Sequence, residues 1–239
     1  IEPAGNGWYR CSLEVTSSVA TTIGCAVSPA ASNGAAAANT DSIYAWGAQA
    51  EAEATYTNAT SYIPTTSATV TRSADNLTLS VSSATFRGDA GTMVFEWLQR
   101  PIPVATGGSS IVIGGAGNSS GFTDYVYLSR TGASSLGLAY TVASTPVGVM
   151  NRTCAFTPGV IYRAGFSWQT GRLAYCIDGG AIVASTTNVV PHTNIARIGV
   201  GMSPWSSSST SVVSNVIHRA FIYAPMNVSD ATLQALTAG

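Results

Sequence analysis

The sequence predicts an all-β protein, built mainly as an antiparallel β-sandwich and ending in one short helix. Three observations lead to this fold class. Strand-like runs recur about every 10–14 residues over most of the chain. Gly, Pro, Asn and Ser separate these runs, as they do in turns. Only the C-terminal residues place apolar side chains at helical spacing.

The first part of the chain, residues 1–56, holds three strand-like runs. The run at 7–17 alternates apolar and polar residues, and 21–30 is interpreted as its return strand. After a loop of small residues, 42–52 resumes a strand pattern. We expect these runs to be the last strands of a small antiparallel β-sandwich whose first strands precede Ile1.

Residues 76–239 are predicted to form a second, larger sandwich. Its strand-like runs are 76–83, 91–100, 109–117, 124–131, 135–144, 147–156, 160–169, 172–180, 196–203 and 212–224. Short runs at even spacing, with turn residues between them, are typical of a β-sandwich. Residues 57–75 lie between the two parts and are predicted to form an extended connector.

One hairpin in the second sandwich has a specific sequence signal. The run at 160–169 is followed by the run at 172–180, and the short segment Gln169-Thr170-Gly171 supplies the turn. A second turn is predicted at Asp178-Gly179-Gly180, where the backbone leaves the hairpin.

The only helical pattern lies at the C-terminus. Asn227 or Ser229 is placed to cap it, and Asp230 falls near its N-terminus. Leu233 and Leu236 are predicted to face inward over a helix of one to two turns.

Few residues of the chain carry charge. Asp, Glu, Lys and Arg make up 9% of the sequence, far below the ~25% of ordinary soluble domains. The formal net charge is −1, and the basic residues are scattered arginines, so no nucleic-acid footprint is visible. No apolar stretch approaches the ~18 residues of a membrane span.

Four cysteines stand at positions 11, 25, 154 and 176, and they permit three pairings. The hairpin predicted for the first two runs would bring Cys11 and Cys25 within disulfide reach. Cys154 and Cys176 have no assigned partner; they would pair across the sandwich or with another chain. All four can equally be free thiols. No Cys or His spacing suits zinc, so no metal is expected.

The acidic and histidine residues do not form a catalytic pattern. Glycoside hydrolysis needs two carboxylates on one cleft, but Glu96 has no acidic partner two or four residues away on its strand. Glu51 and Glu53 have that spacing in an Ala-rich stretch before the connector. His192 and His218 lack a nucleophile elbow nearby. We therefore expect no catalytic residues, no cofactor and no enzyme activity.

Aromatic residues offer a candidate glycan-binding surface. Trp205 stands in a Ser-rich loop where a core role is not evident. Tyr125 and Tyr127 share one strand face next to Asp124, and can line a groove with a polar anchor. The alternative is that the two tyrosines are half of a packed sheet face. Trp97, a third tryptophan, is assigned to the core, as are Phe166 and Trp168.

The second sandwich resembles concanavalin A-like, or laminin-G-like, jelly rolls. Such domains carry a hairpin with the pattern W…G…L.LYVDG and end with a strand and a helix close to 227–239. The matching hairpin residues here are Trp168, Gly171, Leu173, Tyr175, Ile177, Asp178 and Gly179. The resemblance covers about residues 76–239 and implies the fold, while the family is functionally broad.

The first part resembles a string found in virion proteins of tailed bacteriophages. The matching residues are Gly7, Trp8, Tyr9, Arg10, Trp46, Gly47, Ala48, Gln49, Glu51, Thr60 to Thr65, Thr71, Arg72, Ala74 and Asp75. This resemblance implies a non-enzymatic structural subunit on the virion surface, in a tail fibre, spike or capsid decoration. Its expected partners are other virion proteins, copies of itself in a homo-oligomer such as a trimer, and a host-surface glycan. The alternatives are a secreted bacterial lectin module and a polysaccharide depolymerase.

The connector is predicted to be ordered rather than a free linker. Pro64 keeps the preceding residue out of helical conformation, so the backbone is extended. Tyr62 is free to dock on the first sheet, and Arg72 and Asp75 are placed to bridge to each other or to the following domain.

Overall fold

The computed structural model describes residues 2–13, 27, 40, 42–49, 64, 77–99, 110–118, 123–131, 134–186, 189–202 and 216–239. The chain divides into two compact units, Ile1–Arg72 and Ser73–Gly239. Most of the predicted connector lies outside the described residues, so its conformation and the predicted domain boundaries stay predictions.

The first unit contains a hairpin that differs from the predicted one. Strand β1 (Glu2–Gly5) pairs with β2 (Trp8–Arg10) in antiparallel register. The turn between them has a positive φ at Asn6 and at Gly7, as an Asn-Gly hairpin turn requires. The sequence analysis predicted that the 7–17 run pairs with the residues that follow it. This prediction was wrong for Trp8–Arg10, because a tighter turn pairs these residues with the strand that precedes them.

The predicted strand at 42–52 is also not seen over its described part. Residues 42–49 are not in a strand, and Gly47 has a φ of 70°, which interrupts extended backbone. Tyr44 and Trp46 are largely exposed, so they do not build a sheet face there.

The second unit holds the other strands and the helix. They are β3 (Thr78–Ser80), β4 (Ala90–Gln99), β5 (Ser110–Gly117), β6 (Tyr125–Thr131), β7 (Ser135–Val142), β8 (Thr145–Thr153), β9 (Ile161–Gln169), β10 (Arg172–Ile177), β11 (Val183–Ser185), β12 (Arg197–Val200), β13 (Val216–Ala224) and α1 (Asp230–Thr237). Each predicted run from 76 onward overlaps one of these strands. The three-residue β11 was not predicted, because it is too short to show alternation.

Two antiparallel sheets make up this unit. One has five strands in the order β11-β10-β9-β4-β13, and the other has six in the order β3-β12-β5-β6-β7-β8. Side chains that alternate along the strands fill the space between the sheets. The predicted β-sandwich of the jelly-roll class is therefore confirmed.

The core is rich in aromatic residues. Trp97, Phe166 and Trp168 are fully buried in it, as predicted. Phe86 stacks on Trp168 with ring centroids 5.6 Å apart and on Tyr223 at 5.4 Å. Such pairs add to the free energy gained by burying apolar area.

The predicted hairpin joins β9 to β10. Gly171 has a φ of 80° in its turn, and Asp178 and Gly179 have φ values of 49° and 64° in the next one. The Gly180 backbone N–H donates to the Ile177 carbonyl oxygen at 2.9 Å and closes the second turn, while the Asp178 carboxylate accepts a hydrogen bond of 2.8 Å from the Arg163 backbone N–H of β9. Both turns therefore lie where the sequence predicted them.

Helix α1 begins after Ser229, whose hydroxyl oxygen accepts a hydrogen bond from the Thr232 backbone N–H. Leu233 is buried against the five-stranded sheet, as predicted. Leu236 is 37% exposed, contrary to the prediction, because Thr237 occupies the inward position one full turn after Leu233. No helix among the described residues is long and apolar enough to cross a membrane.

Candidate functional site

The outer face of the six-stranded sheet carries two adjacent tyrosines. Val126 and Leu128 of β6 point into the core, so Tyr125 and Tyr127 point outward. Their ring centroids lie 5.4 Å apart, and the rings are tilted by 49°. Both side chains are half-buried. The structure thus brings together two of the residues that the sequence singled out for glycan binding.

The neighbouring strand β5 places two buried glycines, and so no side chain, beside these rings. Gly117 is paired with Tyr125, and Gly115 is paired with Tyr127. A Cβ atom on Gly115 would lie 2.5 Å from the Cα of Tyr127, so no larger residue fits there. We call Tyr125, Tyr127, Gly115 and Gly117 the aromatic platform.

The Tyr127 hydroxyl of the platform is neutral at ordinary pH. Burial, with a smaller contribution from Tyr125, raises the pKa of Tyr127 above its usual value. A neutral phenol both donates and accepts hydrogen bonds, while its ring presents an apolar face. This combination suits a ligand that has hydroxyl groups and C–H faces together.

One charged residue lies in the same row of the sheet. Arg197 of β12 is paired with Gly117, which is in turn paired with Tyr125. Ile198 and Val200 fill the core, so Arg197 points to the outer face. Its Nη1 atom is buried and has no hydrogen-bond partner. Sequence reasoning missed Arg197, because β12 and β6 are about seventy residues apart in the chain and only sheet pairing places them in one row.

Asp124, the predicted polar anchor, lies away from the platform. It is 1% exposed, and its Oδ1 atom is 3.8 Å from His192 Nδ1, too long for a hydrogen bond. The backbone N–H of Ala143 donates to the same oxygen at 3.4 Å. The structure therefore separates Asp124 from the tyrosines, because it belongs to the loop before β6 and turns into the protein interior.

His192 forms a buried cluster with Asp124 and Tyr140. Burial lowers the pKa of His192 to about 4, against the opposite effect of the Asp124 carboxylate. The ring of Tyr140 lies 4.2 Å from the imidazole, and its hydroxyl donates to the Val190 carbonyl oxygen at 2.7 Å. Neither imidazole nitrogen has a hydrogen-bond partner. The imidazole is neutral at pH 7 and is enclosed by protein, as a structural histidine is.

A shallow cleft of about 410 Å³ borders this cluster. Phe86, Gly88, Pro191 and His192 line it, and the backbone N–H of His192 donates to the Gly88 carbonyl oxygen at 3.1 Å. The His192 side chain itself is fully enclosed, so the cleft meets mainly its backbone.

The acidic residues weighed for catalysis have structural contacts. Glu96 is bonded to Arg163 and lies 3.4 Å from the Nε atom of Arg219. The Asp178 carboxylate accepts a hydrogen bond from the Arg163 backbone N–H, and burial raises the pKa of its carboxyl group. His218 is half-buried, and its desolvation lowers its pKa to about 4. Glu51 and Glu53, the other candidate pair, lie outside the described residues.

The cysteines give a mixed result. Cys11 is an exposed free cysteine, so it does not form the possible disulfide bond with Cys25. The reason is that Cys11 follows β2, and β2 pairs with β1 instead of the predicted return strand. Cys25 lies outside the described residues. Cys154 follows a strand of the six-stranded sheet, while Cys176 lies on the five-stranded sheet beneath α1, and both are free thiols.

Several predicted residues cannot be placed. Trp205, Tyr62, Arg72 and Asp75 lie outside the described residues, and Pro64 is exposed. Over the part of the chain that the structure covers, no group of three His, Cys, Asp or Glu side chains is placed to hold a metal ion.

No protein-family model matches the chain, and no curated protein matches it. Solved structures share its fold at low identity. A CBM40 domain of the Ruminococcus gnavus IT-sialidase, bound to α2,3-sialyllactose, is 14% identical with a TM-score of 0.48, covering 63% of this chain and 83% of its own. A heptameric SAP-like pentraxin from Limulus polyphemus is 10% identical with a TM-score of 0.46, covering 62% and 71%.

The enzymatically active domain of tailspike protein 2 from bacteriophage CBA120 is 13% identical with a TM-score of 0.47, covering 70% of this chain and 30% of its own. At these identities and scores the likenesses carry no argument about function. The fold assignment rests on the strands, sheets and core of the chain itself.

Proposed function

We propose that the chain is a non-enzymatic, glycan-binding jelly-roll protein displayed on the surface of a tailed-bacteriophage virion, in a fibre, a spike or a capsid decoration. The observation that carries the glycan-binding part is the aromatic platform. Two tyrosine rings stand 5.4 Å apart on an outer sheet face, next to a strand that has glycine at the adjoining positions.

The chemistry of the platform fits a sugar ring. A pyranose has one face of C–H groups, which packs on an aromatic ring, and hydroxyls at its edge, which bond to a phenol. The glycines at 115 and 117 place no side chain of β5 beside Tyr125 and Tyr127 that would compete with such a ring. The tyrosines are already held by their strand, so little side-chain freedom is lost on binding.

A glycan array probed with the intact chain tests the binding part. We expect one class of glycan to bind, and Tyr125→Ala and Tyr127→Ala each to weaken that binding at least about ten-fold, because aromatic anchors dominate such interfaces. Ile222→Ala is the matched control, since Ile222 is 49% exposed on the outer face of the five-stranded sheet. A blank array, or unchanged binding by both tyrosine variants, contradicts the proposal.

The virion part rests on the strings at 7–10, 46–51 and 60–75 that resemble phage virion proteins. Antibody labelling of purified particles by negative-stain imaging tests it. We expect label on the particle surface and self-association of the chain in sedimentation analysis. Label on cells or in the medium but never on particles favours a secreted bacterial lectin instead.

The absence of catalysis is part of the same proposal. It is supported by the structural contacts of Glu96 and Asp178, which leave no matched acid pair on one cleft among the described residues. An assay for released reducing sugar on the bound glycan is expected to stay at background. Sustained turnover that Glu96→Gln abolishes would overturn this part.

A further inference from the structure

We propose that Arg197 makes the aromatic platform selective for glycans that carry a carboxylate, such as hexuronate sugars. The inference rests on the proposed function, because it concerns the same face of the same sheet. It names the class of sugar that the platform takes, and it assigns Arg197 as the residue that binds the carboxylate.

The first step is position. Arg197, Gly117 and Tyr125 are consecutive partners across β12, β5 and β6. Neighbouring strands lie ~4.8 Å apart, so the Cα atoms of Arg197 and Tyr125 are separated by about 10 Å. Gly117 has no side chain to fill the space between them. No side chain of β5 therefore stands between the Arg197 guanidinium and the Tyr125 ring.

The second step is charge. Arg163 and Arg219 pair with Glu96, Arg172 pairs with Asp230, and Arg87 pairs with Asp89. Among the described residues, no ion pair or hydrogen bond to the Arg197 guanidinium exists, and its Nη1 atom is buried. An arginine keeps its charge in proteins, and a buried donor without an acceptor costs free energy. The described part of the protein therefore provides no acceptor for the Arg197 guanidinium.

The third step is complementarity. A carboxylate offers two acceptor oxygens in the plane that the guanidinium donors require. If the carboxylate of a hexuronate meets Arg197, its ring extends over Gly117 toward Tyr125. A neutral hexose has the same ring but brings only hydroxyl acceptors, so it satisfies the guanidinium less well.

A two-by-two binding cycle on the intact chain tests the inference by calorimetry. The probes are a glucuronate-terminated disaccharide and the same disaccharide after carboxyl reduction, and the proteins are wild type and Arg197→Gln. We expect the acidic probe to bind wild type at least about ten-fold more tightly than the reduced probe. Arg197→Gln is expected to weaken binding of the acidic probe at least about ten-fold, to weaken binding of the reduced probe less, and so to remove most of that difference. Arg219→Gln, on the outer face of the other sheet, is the control and binds like wild type.

The outcomes separate this inference from the proposed function. If both probes bind wild type equally and binding needs Tyr125, the platform function stands and the carboxylate assignment fails. If no glycan binds, both fail. A sulfated disaccharide that binds as tightly as the glucuronate, with the same dependence on Arg197, also overturns selectivity for a carboxylate.

Thermal unfolding supplies a second readout that does not need a ligand. Removing an unpartnered charge relieves a cost in the free protein, so Arg197→Gln is expected to melt at the wild-type temperature or above it. A clear fall in its melting temperature shows that Arg197 supports the fold, and this overturns the assignment of a free ligand-binding group.

Discussion

The outer faces of the two sheets differ in whether the protein's own residues provide partners for the charged side chains. On the five-stranded sheet, α1 packs on β9 and β10, and Glu96 pairs with Arg163 and Arg219. On the six-stranded sheet, two tyrosines stand beside glycines, and Arg197 has a buried nitrogen without a partner. Both faces belong to strands with the same alternation, yet only the first has its charges neutralised by the chain.

This difference agrees with the proposed function, in which the outer face of the five-stranded sheet is structural and that of the six-stranded sheet binds the ligand. Natural proteins satisfy nearly all of their buried polar groups, so an unsatisfied one beside an aromatic surface points to a ligand that completes it. The outer face of the five-stranded sheet is covered by α1 and by its ion pairs. Substitutions at matched positions on the two faces test this difference.

The largest effect is expected at the glycines of the two faces. A Cβ on Gly115 would lie 2.1 Å from the Val126 carbonyl oxygen, which is backbone and cannot move alone, so Gly115→Ala should lower the free energy of unfolding by about 3 kcal/mol. A Cβ on Gly165, beneath α1, would lie 3.0 Å from the Met93 carbonyl oxygen and 3.2 Å from the flexible end of Leu233, a much milder approach, and Gly165→Ala should cost about 1 kcal/mol. Urea unfolding of both variants measures this, and equal costs would contradict the described packing around the platform.

Low pH should destabilise the interior on both sides of the sandwich. Burial lowers the pKa of His192 and of His218 to about 4, so between about pH 6.5 and 4 the unfolded state binds more protons than the folded state. The stability contributed by each neutral histidine is full above pH 6.5 and falls as the pH drops through this window, by up to roughly 3 kcal/mol.

Urea unfolding at several pH values checks this expectation. His192→Gln and His218→Gln should each flatten the pH dependence, and the double variant should flatten it most. A wild-type stability that does not change between pH 6.5 and 4 would show that neither imidazole is enclosed as described.

The ion-pair network of the five-stranded face should show a smaller effect. Glu96 is mostly buried, and Glu96→Gln leaves Arg163 and Arg219 without their carboxylate. Because the two arginines are 38% and 48% exposed, solvent screens them and the expected loss is about 1–2 kcal/mol. Chemical denaturation measures it beside Arg197→Gln, which is expected to lose nothing. A larger loss for Arg197→Gln would reverse the contrast between the faces.

The smallest effect is expected at the helix cap. Ser229→Ala removes the acceptor for the Thr232 N–H, which should cost about 1 kcal/mol and lower the melting temperature by about 2–4 °C. Glycan binding should not change, because α1 packs on the opposite sheet from the platform. Loss of binding without unfolding would mean that the two faces are coupled.

Local features of this protein followed from the sequence because near neighbours in the chain decide them. The turn at Gly171 needs a residue that tolerates positive φ, and the cap at Ser229 needs a short side-chain acceptor. Tyr125 and Tyr127 share a face because strand side chains alternate with period two. These expectations needed no knowledge of the sheet partners.

Other expectations failed where the local sequence pattern was compatible with two different structures. The run that begins at Gly7 was paired with the residues after it, but the Asn6–Gly7 turn pairs Trp8–Arg10 with the residues before it. Leu236 was placed inward by helical spacing, but in a helix of two turns Thr237 holds that position. In both cases the local pattern allowed two answers, and packing selected one.

The sequence by itself determined the all-β class, the hairpin at β9 and β10, the capped C-terminal helix and the pairing of two tyrosines on one strand face. Only the tertiary structure decided that Arg197 lies in the row of Tyr125 and that Asp124 turns inward beside His192. The physical reason is that alternation and turn chemistry act over a few residues. The order of strands in a sheet depends on contacts between segments far apart in the chain, which no local pattern records.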